Sequence, residues 1–446
     1  MKSFLIDQSD KNIFTSNSGL LLVGHCINDL CSLPIKAKKS FPVGADGIGT
    51  DDILRSYLGL LSIGQSDFEA VSNRREDEYF REALNIDRVP SAETLRQRLD
   101  AIAPDLRPLA DACSVEFLKK AQVTITPLRT GHIPLHCSVF GMDNSKTKKE
   151  GISPIHNGQE GYAVMAAYLG TEGWCLELEL VKGSQHCREG FIPFLLRAIE
   201  KARALTSQLL LLPLDSAHDV RDIRLALRGQ KHVSYVINWN PRREDKLEWA
   251  ERVFKEGKII TQRPGKRVGL LDVHTRHGLN PYEFRHIVRA VECTIDHLGH
   301  LLLVPENDIE GWCTNLGLPT KRVIGVYENH GKSEQFNREI KSDLDMERLP
   351  SGKLATNALV LTLGGLAYNV LRAIGQFGLF EAQTPVRHPA KRYQIKTVIQ
   401  ELMYLTARLV RTGRRLKLVF SRHCPAFEAF RTIYTRLASE QSSKGD

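Results

Sequence analysis

The spacing of apolar residues predicts that residues 1–128 are mainly helical. Apolar side chains recur three and four residues apart within residues 52–64, and the same interval continues after Ser91, which is the period of a helix with one buried face. Ser91 is a suitable N-cap because its hydroxyl can accept a hydrogen bond from an amide of the first turn. The short helix predicted to follow leaves Arg96 and Arg98 outside the apolar stripe.

Residues 129–240 change to a pattern of strands with two helices. Three runs rich in β-branched and aromatic residues predict successive strands, at Ile133–Phe140, Tyr162–Leu169 and Cys175–Val181. A helix is predicted from about Glu189 to Ala204, and a leucine-rich strand then ends at Asp215. A second helix from about Asp219 and a strand at Val233–Asn238 complete the order, which is typical of an α/β sheet domain.

The pattern changes twice more after residue 240. Residues 241–318 carry charged turns and short strand-like segments, which predict an inserted and mainly β module. Residues 319–384 return to a strand followed by helices, and residues 385–446 are predicted to form a basic helical region.

Composition places the chain among folded, soluble proteins. A length of 446 residues is enough for about two to four domains, and 42% apolar with 25% charged residues excludes disorder as the main state. No stretch approaches the roughly 18 uninterrupted apolar residues of a membrane span, and the start of the chain lacks the pattern of a signal peptide. We therefore expect a cytoplasmic protein without a membrane partner. Nine scattered cysteines, without paired zinc spacing, predict free thiols.

The positive charge of the chain is concentrated at one end. The net charge is +9, and residues 387–446 contain 13 basic and 4 acidic residues, so the whole excess lies there. A basic block of this kind favours a polyanion such as nucleic acid, although a solvated helical face gives the same composition. Arg96 and Arg98 on their predicted helix are compatible with helix-turn-helix reading of DNA, and a plain amphipathic helix is the alternative.

Two aspartates stand where predicted strands end. Asp143 closes the first strand of the sheet and Asp215 closes the leucine-rich strand. Groups at the carboxyl ends of neighbouring strands converge on one crevice in α/β sheets. An ionised acid beside a buried strand needs compensation, which a divalent cation could provide. The alternative for each aspartate is a helix N-cap or a turn former.

A third carboxylate, Glu334, lies on a predicted helix with two cations. Phe336, Ile340 and Leu344 recur every four residues and define the packed face of that helix. Another face presents Glu334, Arg338 and Lys341, an arrangement that could hold a metal ion beside a phosphate. An intrahelical salt bridge between Glu334 and Arg338 explains the same spacing, and from spacing alone it is the stronger interpretation.

The segment Tyr327-x2-His330-x3-Glu334-x6-Lys341 resembles the Y-x2-R-x3-E-x6-K signature of DDE transposases of the IS4 type. Short motifs around this segment are similar to those of the IS1380 family. The similarity covers most of the chain and is loosest at residues 241–318. The similarity to this family rests on the motifs Gly19-Leu-Leu-Leu, Lys341-Ser-Asp, Arg348-Leu-Pro, Asn357-Ala, Leu366-Ala-Tyr-Asn and the segment 405–418.

The resemblance implies an α/β fold with an RNase H-like catalytic core, interrupted by a β-rich insertion and flanked by the helical N-terminal and basic C-terminal regions. It implies that Asp143, Asp215 and Glu334 are the catalytic and metal-binding acids of a two-ion site for Mg²⁺, with Mn²⁺ as a substitute. Tyr327 and Lys341 match signature positions, and Lys341 would contact a DNA phosphate.

One signature position departs from the family pattern. His330 replaces the signature arginine and lacks its permanent, forked charge, which weakens the expected phosphate contact. Trp312, near the end of the predicted insertion, could stack on a flipped base, although a tryptophan of the core is the more frequent case.

The function implied by the resemblance is DNA transposition. The enzyme would bind the terminal inverted repeats of its own insertion sequence, cleave them and transfer the strands to target DNA, as a homodimer in a synaptic complex at the bacterial nucleoid. The N-terminal helices and the insertion would recognise double-stranded DNA. Two alternatives remain open: a metal-dependent nuclease of the same fold without strand transfer, and an inactive relic that only binds DNA.

Overall fold

The computed structural model describes a mixed α/β protein, as the sequence predicts. The described residues are 6, 12–156, 158–241, 244–276, 283–328, 332–380, 392–413 and 415–442.

The amino-terminal region is helical apart from one short strand, β1 (Ile13–Thr15). Its helices are α1 (Leu20–His25), α2 (Leu33–Ser40), α3 (Thr50–Ser62), α4 (Glu78–Leu84) and α5 (Ala92–Lys120), with a π-helical turn at Cys26–Leu30 and a 3-10 turn at Phe68–Arg74. The Ser91 hydroxyl accepts from the Thr94 amide at 3.1 Å, which confirms the predicted cap. The predicted short helix is wrong in length, because α5 runs for 29 residues and continues through Pro104 and Pro108.

The central sheet begins with six strands, most of them near their predicted positions. They are β2 (Ile133–Asp143), β3 (Ser153–Pro154), β4 (Glu160–Leu169), β5 (Trp174–Lys182), β6 (Leu210–Leu214) and β7 (Val233–Asn238). The strand order is β5-β4-β2-β6-β7. Neighbours β2, β6 and β7 are parallel, whereas β4 is antiparallel to both β2 and β5. Helix α6 (Phe191–Leu205) leads from β5 to β6, and α7 (Arg221–Arg228) connects β6 with β7.

The segment after β7 extends this sheet. It contains one helix and four strands: α8 (Lys246–Glu256), β8 (Lys258–Arg263), β9 (Lys266–Arg276), β10 (Glu283–Ile295) and β11 (Leu301–Thr314). The strands form an antiparallel meander, and the end of β11 pairs with β7 through Trp312↔Asn238 and the next two positions. The mainly β segment is thus joined to the central sheet by main-chain hydrogen bonds.

Helices follow directly, without the strand that the sequence led us to expect. They are α9 (Thr320–Glu328), α10 (Lys332–Arg338) with a π-helical turn at Glu339–Asp343, and α11 (Leu354–Gly378). Residues 320–328 are helical because Val323 and Ile324 are buried on one side and Pro319 immediately precedes the first turn, where its missing N–H is not needed.

By length and composition α11 could cross a membrane, and so could the bent pair formed by residues 20–30 and 33–40. In the fold, 89% of the apolar window of α11 is buried. Its neighbours include α5, β5 and α3, so α11 occupies the position of a core helix.

The prediction of an entirely helical C-terminal region is wrong. The region contains α12 (Ile395–Val398) with a π-helical turn at Ile399–Met403, then β12 (Ala407–Thr412), β13 (Arg415–Phe420) and α13 (Phe427–Ser442). Residues alternate between buried and exposed along the start of β12, which is the period of a strand. Gly413, at φ +58°, lies in the turn between the strands. β12 also pairs with β1, so both ends of the chain share a three-stranded sheet.

Candidate active site

One cleft of about 390 Å³ contains all three carboxylates that the sequence singled out. Asp143, Asp215 and Glu334 line it, and Lys341 lines it with them. Two of these groups come from β2 and from the end of β6, which are parallel neighbours, and the other two come from the α10 segment. The cleft therefore lies where the strand order brings the carboxyl ends of β2 and β6 to one side of the sheet.

The helix that carries Glu334 is held against the sheet by the predicted apolar face. Phe336, Ile340 and Leu344 are all fully buried. On the sheet side, the Asn337 side-chain amide donates to the Ser138 hydroxyl at 3.2 Å. Packing on one face thus leaves Glu334, which is exposed, directed at the cleft.

Asp143 is held as a carboxylate by the turn that follows its strand. Its Oδ1 accepts from the Ser145 amide at 2.8 Å, and its Oδ2 accepts from the Gln159 side chain at 3.5 Å. Hydrogen bonds from the Ser145 side chain and amide lower the pKa of Asp143, and the positive charges of Arg348 and Lys341 add to this effect. The turn-former alternative therefore describes its geometry, while its charge remains available in the cleft.

Asp215 follows β6 and is exposed. It precedes a 3-10 turn at Ser216–His218 but makes no capping hydrogen bond with its side chain, so the N-cap alternative is not realised. The Tyr327 hydroxyl donates to Asp215 Oδ1 at 3.5 Å. Burial, followed by the charge of Asp215, raises the pKa of Tyr327 to about 12, so that hydroxyl stays a donor to a higher pH than an ordinary tyrosine.

The salt bridge expected between Glu334 and Arg338 is not formed in the described part of the chain. Arg338 instead donates to the Gln394 side chain at 3.0 Å. His330 lies outside the described residues.

Glu347 is a cleft residue that sequence reasoning missed. Its Oε1 accepts the Asp143 amide at 2.7 Å, and its Oε2 pairs with the Lys341 ammonium at 2.9 Å. Lys341 also donates to the Gly141 carbonyl at 2.9 Å. Lys341 and Glu347 therefore join the α10 segment to the end of β2. The sequence indicated Glu347 only through its position directly before the Arg348-Leu-Pro motif.

The carboxylates line one cleft without forming a compact cluster. Among the residues that the structure describes, no three His, Cys, Asp or Glu side chains lie close enough together to hold one metal ion. The β2–β6 register, Ile133↔Leu210 and Pro134↔Leu211, extrapolates to Ser138 level with Asp215, so Asp143 lies farther along its strand. The oxygen donors nevertheless suit Mg²⁺, which is usually bound by one or two carboxylates together with substrate phosphates.

Three residues suggested for DNA contact also make contacts within the fold. Arg96 pairs with Glu93 at 2.6 Å and Glu69 at 3.1 Å, and Arg98 donates to the Thr50 hydroxyl at 2.8 Å. Trp312 is only 2% exposed and contacts Tyr327 edge-on with ring centroids 6.3 Å apart. It is the core tryptophan of the alternative interpretation, because a buried ring presents no free face to a base.

His218 gives the region next to Asp215 a pH-dependent stability. The ring is 2% exposed and stacked on Phe191, and burial lowers its pKa to about 4. The unfolded chain binds this proton near pH 6.5, whereas the folded chain binds it only near pH 4. The stability that the neutral ring contributes is therefore complete above pH 6.5 and is lost as the pH falls to 4, and the loss in unfolding free energy reaches about 3 kcal/mol. We expect the His218→Phe variant to lose less unfolding free energy than the wild type between these pH values in urea titrations. Equal pH slopes would contradict the assignment.

The similarity to known proteins extends over nearly the whole chain. A family model described as "Transposase DDE domain group 1" matches residues 12–442. A solved piggyBac transposase synaptic complex with hairpin DNA is similar at 9% identity and a TM-score of 0.42, over 97% of this chain and 88% of that chain. No curated protein matches the chain. The family match confirms the resemblance to DDE transposases at the level of the wider family. Since it spans nearly the whole chain, this protein belongs to the family of transposase DDE domains of group 1.

Proposed function

We propose that this protein is an insertion-sequence transposase of the IS1380 type that cleaves and joins DNA at the terminal inverted repeats of its own element. The observation that carries the proposal is the single cleft lined by Asp143, Asp215, Glu334 and Lys341. The order β5-β4-β2-β6-β7, with β4 antiparallel to its neighbours, supports an RNase H-like core. The segment 241–318 then represents its insertion.

Each cleft residue has a distinct role in this proposal. Asp143, Asp215 and Glu334 provide the carboxylate oxygens for two Mg²⁺ ions, or for Mn²⁺ in their place. Bound ions of this kind stabilise the charge that develops in an in-line displacement at a phosphodiester. Tyr327 orients Asp215 through its hydroxyl. Lys341 contacts a DNA phosphate, in exchange for part of its pairing with Glu347.

The DNA substrate and the assembly follow from the same proposal. Double-stranded DNA carrying the inverted repeats, and later target DNA, would occupy the cleft, and two copies of the chain would act in one synaptic complex. The protein would work in the cytoplasm, at the nucleoid.

A second candidate function is DNA binding without catalysis. It is favoured by the separation of the acids, because the described residues contain no three-ligand group. The two candidate functions make different predictions for the carboxylates. In a transposase they move closer together when DNA and metal bind, and in a protein that only binds DNA they do not.

Cleavage of the element's own ends tests both candidates. We would incubate the purified chain with a duplex carrying the DNA that flanks its reading frame, in Mg²⁺ or Mn²⁺. We expect nicks at the element boundary and joined products, both lost in the Asp143→Asn and Asp215→Asn variants. Asp222→Asn is the matched control, since Asp222 is exposed on α7 and lies outside the cleft lining.

The pattern of products separates the alternatives. Metal-dependent cuts without joined products would show that the protein is a nuclease rather than a transposase. Tight binding without cutting in either metal would establish the non-catalytic protein. Retained Mn²⁺ binding to the DNA complex in both aspartate variants, measured by electron paramagnetic resonance, would contradict the metal-ligand assignment independently of activity.

A further inference from the structure

The three-stranded sheet β1-β12-β13 has two chemically different faces. Directly paired residues share a face and successive residues alternate between faces. Thr15, Ala407 and Leu409 are buried on the inner face. The pairs Phe14↔Arg408, Val410↔Lys417 and Thr412↔Arg415 belong to the other face. We call the residues Phe14, Arg408, Arg415 and Lys417 the outer face; all four are exposed.

The outer face is positively charged, and its strands contribute no acidic residue. None of the three strands contains Asp or Glu, and no acid occurs in the chain between Glu401 and Glu428. Within the described ranges, Arg415 and Lys417 have no carboxylate partner, and Arg408 donates to the Asn12 side chain at 3.4 Å.

The opposite side of the same hairpin is neutralised. Arg411 pairs with Glu78 at 2.7 Å and with Glu82 at 2.8 Å, both on α4. Among the residues that the structure describes, the cation on the inner face is neutralised, whereas those on the outer face have no carboxylate partner. Such an arrangement costs self-repulsion unless an anionic partner covers it.

We infer that the outer face binds the phosphate backbone of duplex DNA. The partner is chosen by charge complementarity, since exposed cations gain affinity by releasing counterions from DNA, and a two-stranded β-ribbon has the width that a major groove admits. Phe14, 62% exposed, adds an apolar ring beside Arg408. The inference deepens the proposed function and rests on it, because DNA is the substrate of the proposed cleft.

The segment that leads into the hairpin is joined to the N-terminal helices and to the turn that continues α10. The Ser18 hydroxyl donates to the Leu405 carbonyl at 2.7 Å, just before β12. Upstream, the Lys396 amide donates to Asp343 at 2.9 Å, in the π-helical turn that continues α10. The chain that enters the hairpin thus contacts the segment that carries Glu334 and Lys341.

Point variants are the appropriate test, because the C-terminal region is part of the core. Ile395, Leu402, Met403, Ile433 and Leu437 are each at most 2% exposed. Removing residues 387–446 would therefore expose core surface as well as remove charge, and it cannot separate DNA contact from folding.

The experiment measures the salt dependence of DNA binding without divalent metal, so that it is independent of catalysis. The full-length chain is titrated into a fluorescent duplex of the element's end at several salt concentrations. For the Arg415→Gln/Lys417→Gln variant we expect the negative slope of log K against log salt to fall in magnitude by about 1.8, since each phosphate contact contributes about 0.9 to that magnitude. The control is Arg197→Gln/Lys353→Gln, which removes the same charge from two exposed cations that already pair with carboxylates; its slope should stay unchanged.

The possible outcomes are distinct. An unchanged slope in the hairpin variant overturns the inference, and so does an equal fall in both variants, which would be an effect of net charge. Absence of salt-dependent binding by the wild type would overturn the proposed function itself. If the double variant melts at a lower temperature, the single variants Arg415→Gln and Lys417→Gln replace it, each with an expected fall of about 0.9.

Discussion

Replacing Glu334 with glutamine should reduce metal-dependent DNA cleavage by roughly a thousandfold, because ion binding supplies several kcal/mol of transition-state stabilisation and tenfold in rate corresponds to about 1.4 kcal/mol. Glutamine has nearly the same shape but no charge, so DNA affinity should not change. The exposed position of Glu334, without a salt bridge to Arg338 in the described structure, leaves its charge free for this role. Single-turnover cleavage of a nicked element end is the measurement.

Glu328→Gln is the matched control for this prediction. Glu328 is exposed on the preceding helix, pairs with Arg289 at 2.9 Å and lies outside the cleft lining. Its variant should cleave at the wild-type rate. If Glu334→Gln also cleaved normally, the third acid would be wrongly assigned, and Glu347, which lines the same cleft, would be the next carboxylate to replace.

Replacing Glu339 with alanine should lower the free energy of unfolding by about 3–5 kcal/mol, the usual cost of removing one partner from a buried ion pair. Glu339 is fully buried and binds the guanidinium groups of Arg372 and Arg392. Arg372 is itself 4% exposed and is held over the Tyr368 ring at 4.8 Å. Alanine would leave two arginine charges facing a cavity. Urea unfolding of the full chain measures the effect.

A surface ion pair provides the comparison for Glu339. Glu256 pairs with Arg252 at 3.0 Å on α8, with both side chains more than 40% exposed. We expect Glu256→Ala to cost less than about 1 kcal/mol, as solvent-exposed pairs do. Similar losses in the two variants would show that the buried network contributes no more than a surface pair. A larger loss in Glu339→Ala would also weaken cleavage indirectly, since Glu339 lies on the helix that carries Glu334.

Predictions that rest on short-range periodicity agree with the structure. The strand predicted at Val233–Asn238 has those bounds, and the packed face of Phe336, Ile340 and Leu344 is fully buried. Both depend on which residues recur within one segment, a property that burial of one face imposes on the local sequence. The convergence of Asp143 and Asp215 on one cleft follows from the same local information combined with a parallel sheet.

Predictions that depended on neighbours distant in sequence were less successful. Composition predicted a basic helical tail, whereas β12 and β13 pair as a hairpin to which β1 adds a third strand. The contacts of Arg96 with Glu69 and of Arg98 with Thr50 also come from other elements, while DNA contact by these arginines stays a prediction. No period within the helix indicates those partners.

By itself, the sequence determined the α/β order of elements, the position of the three carboxylates at the ends of their elements, and the concentration of positive charge near the C-terminus. The tertiary structure alone decided that Lys341 is held by Glu347, that Glu347 binds the main chain of Asp143 across 204 residues, and that the basic segment is a sheet with one neutralised and one open face. The reason is physical. Local periodicity reflects burial of a single face, whereas ion pairs and strand partners are selected among groups that become neighbours only after the chain has folded.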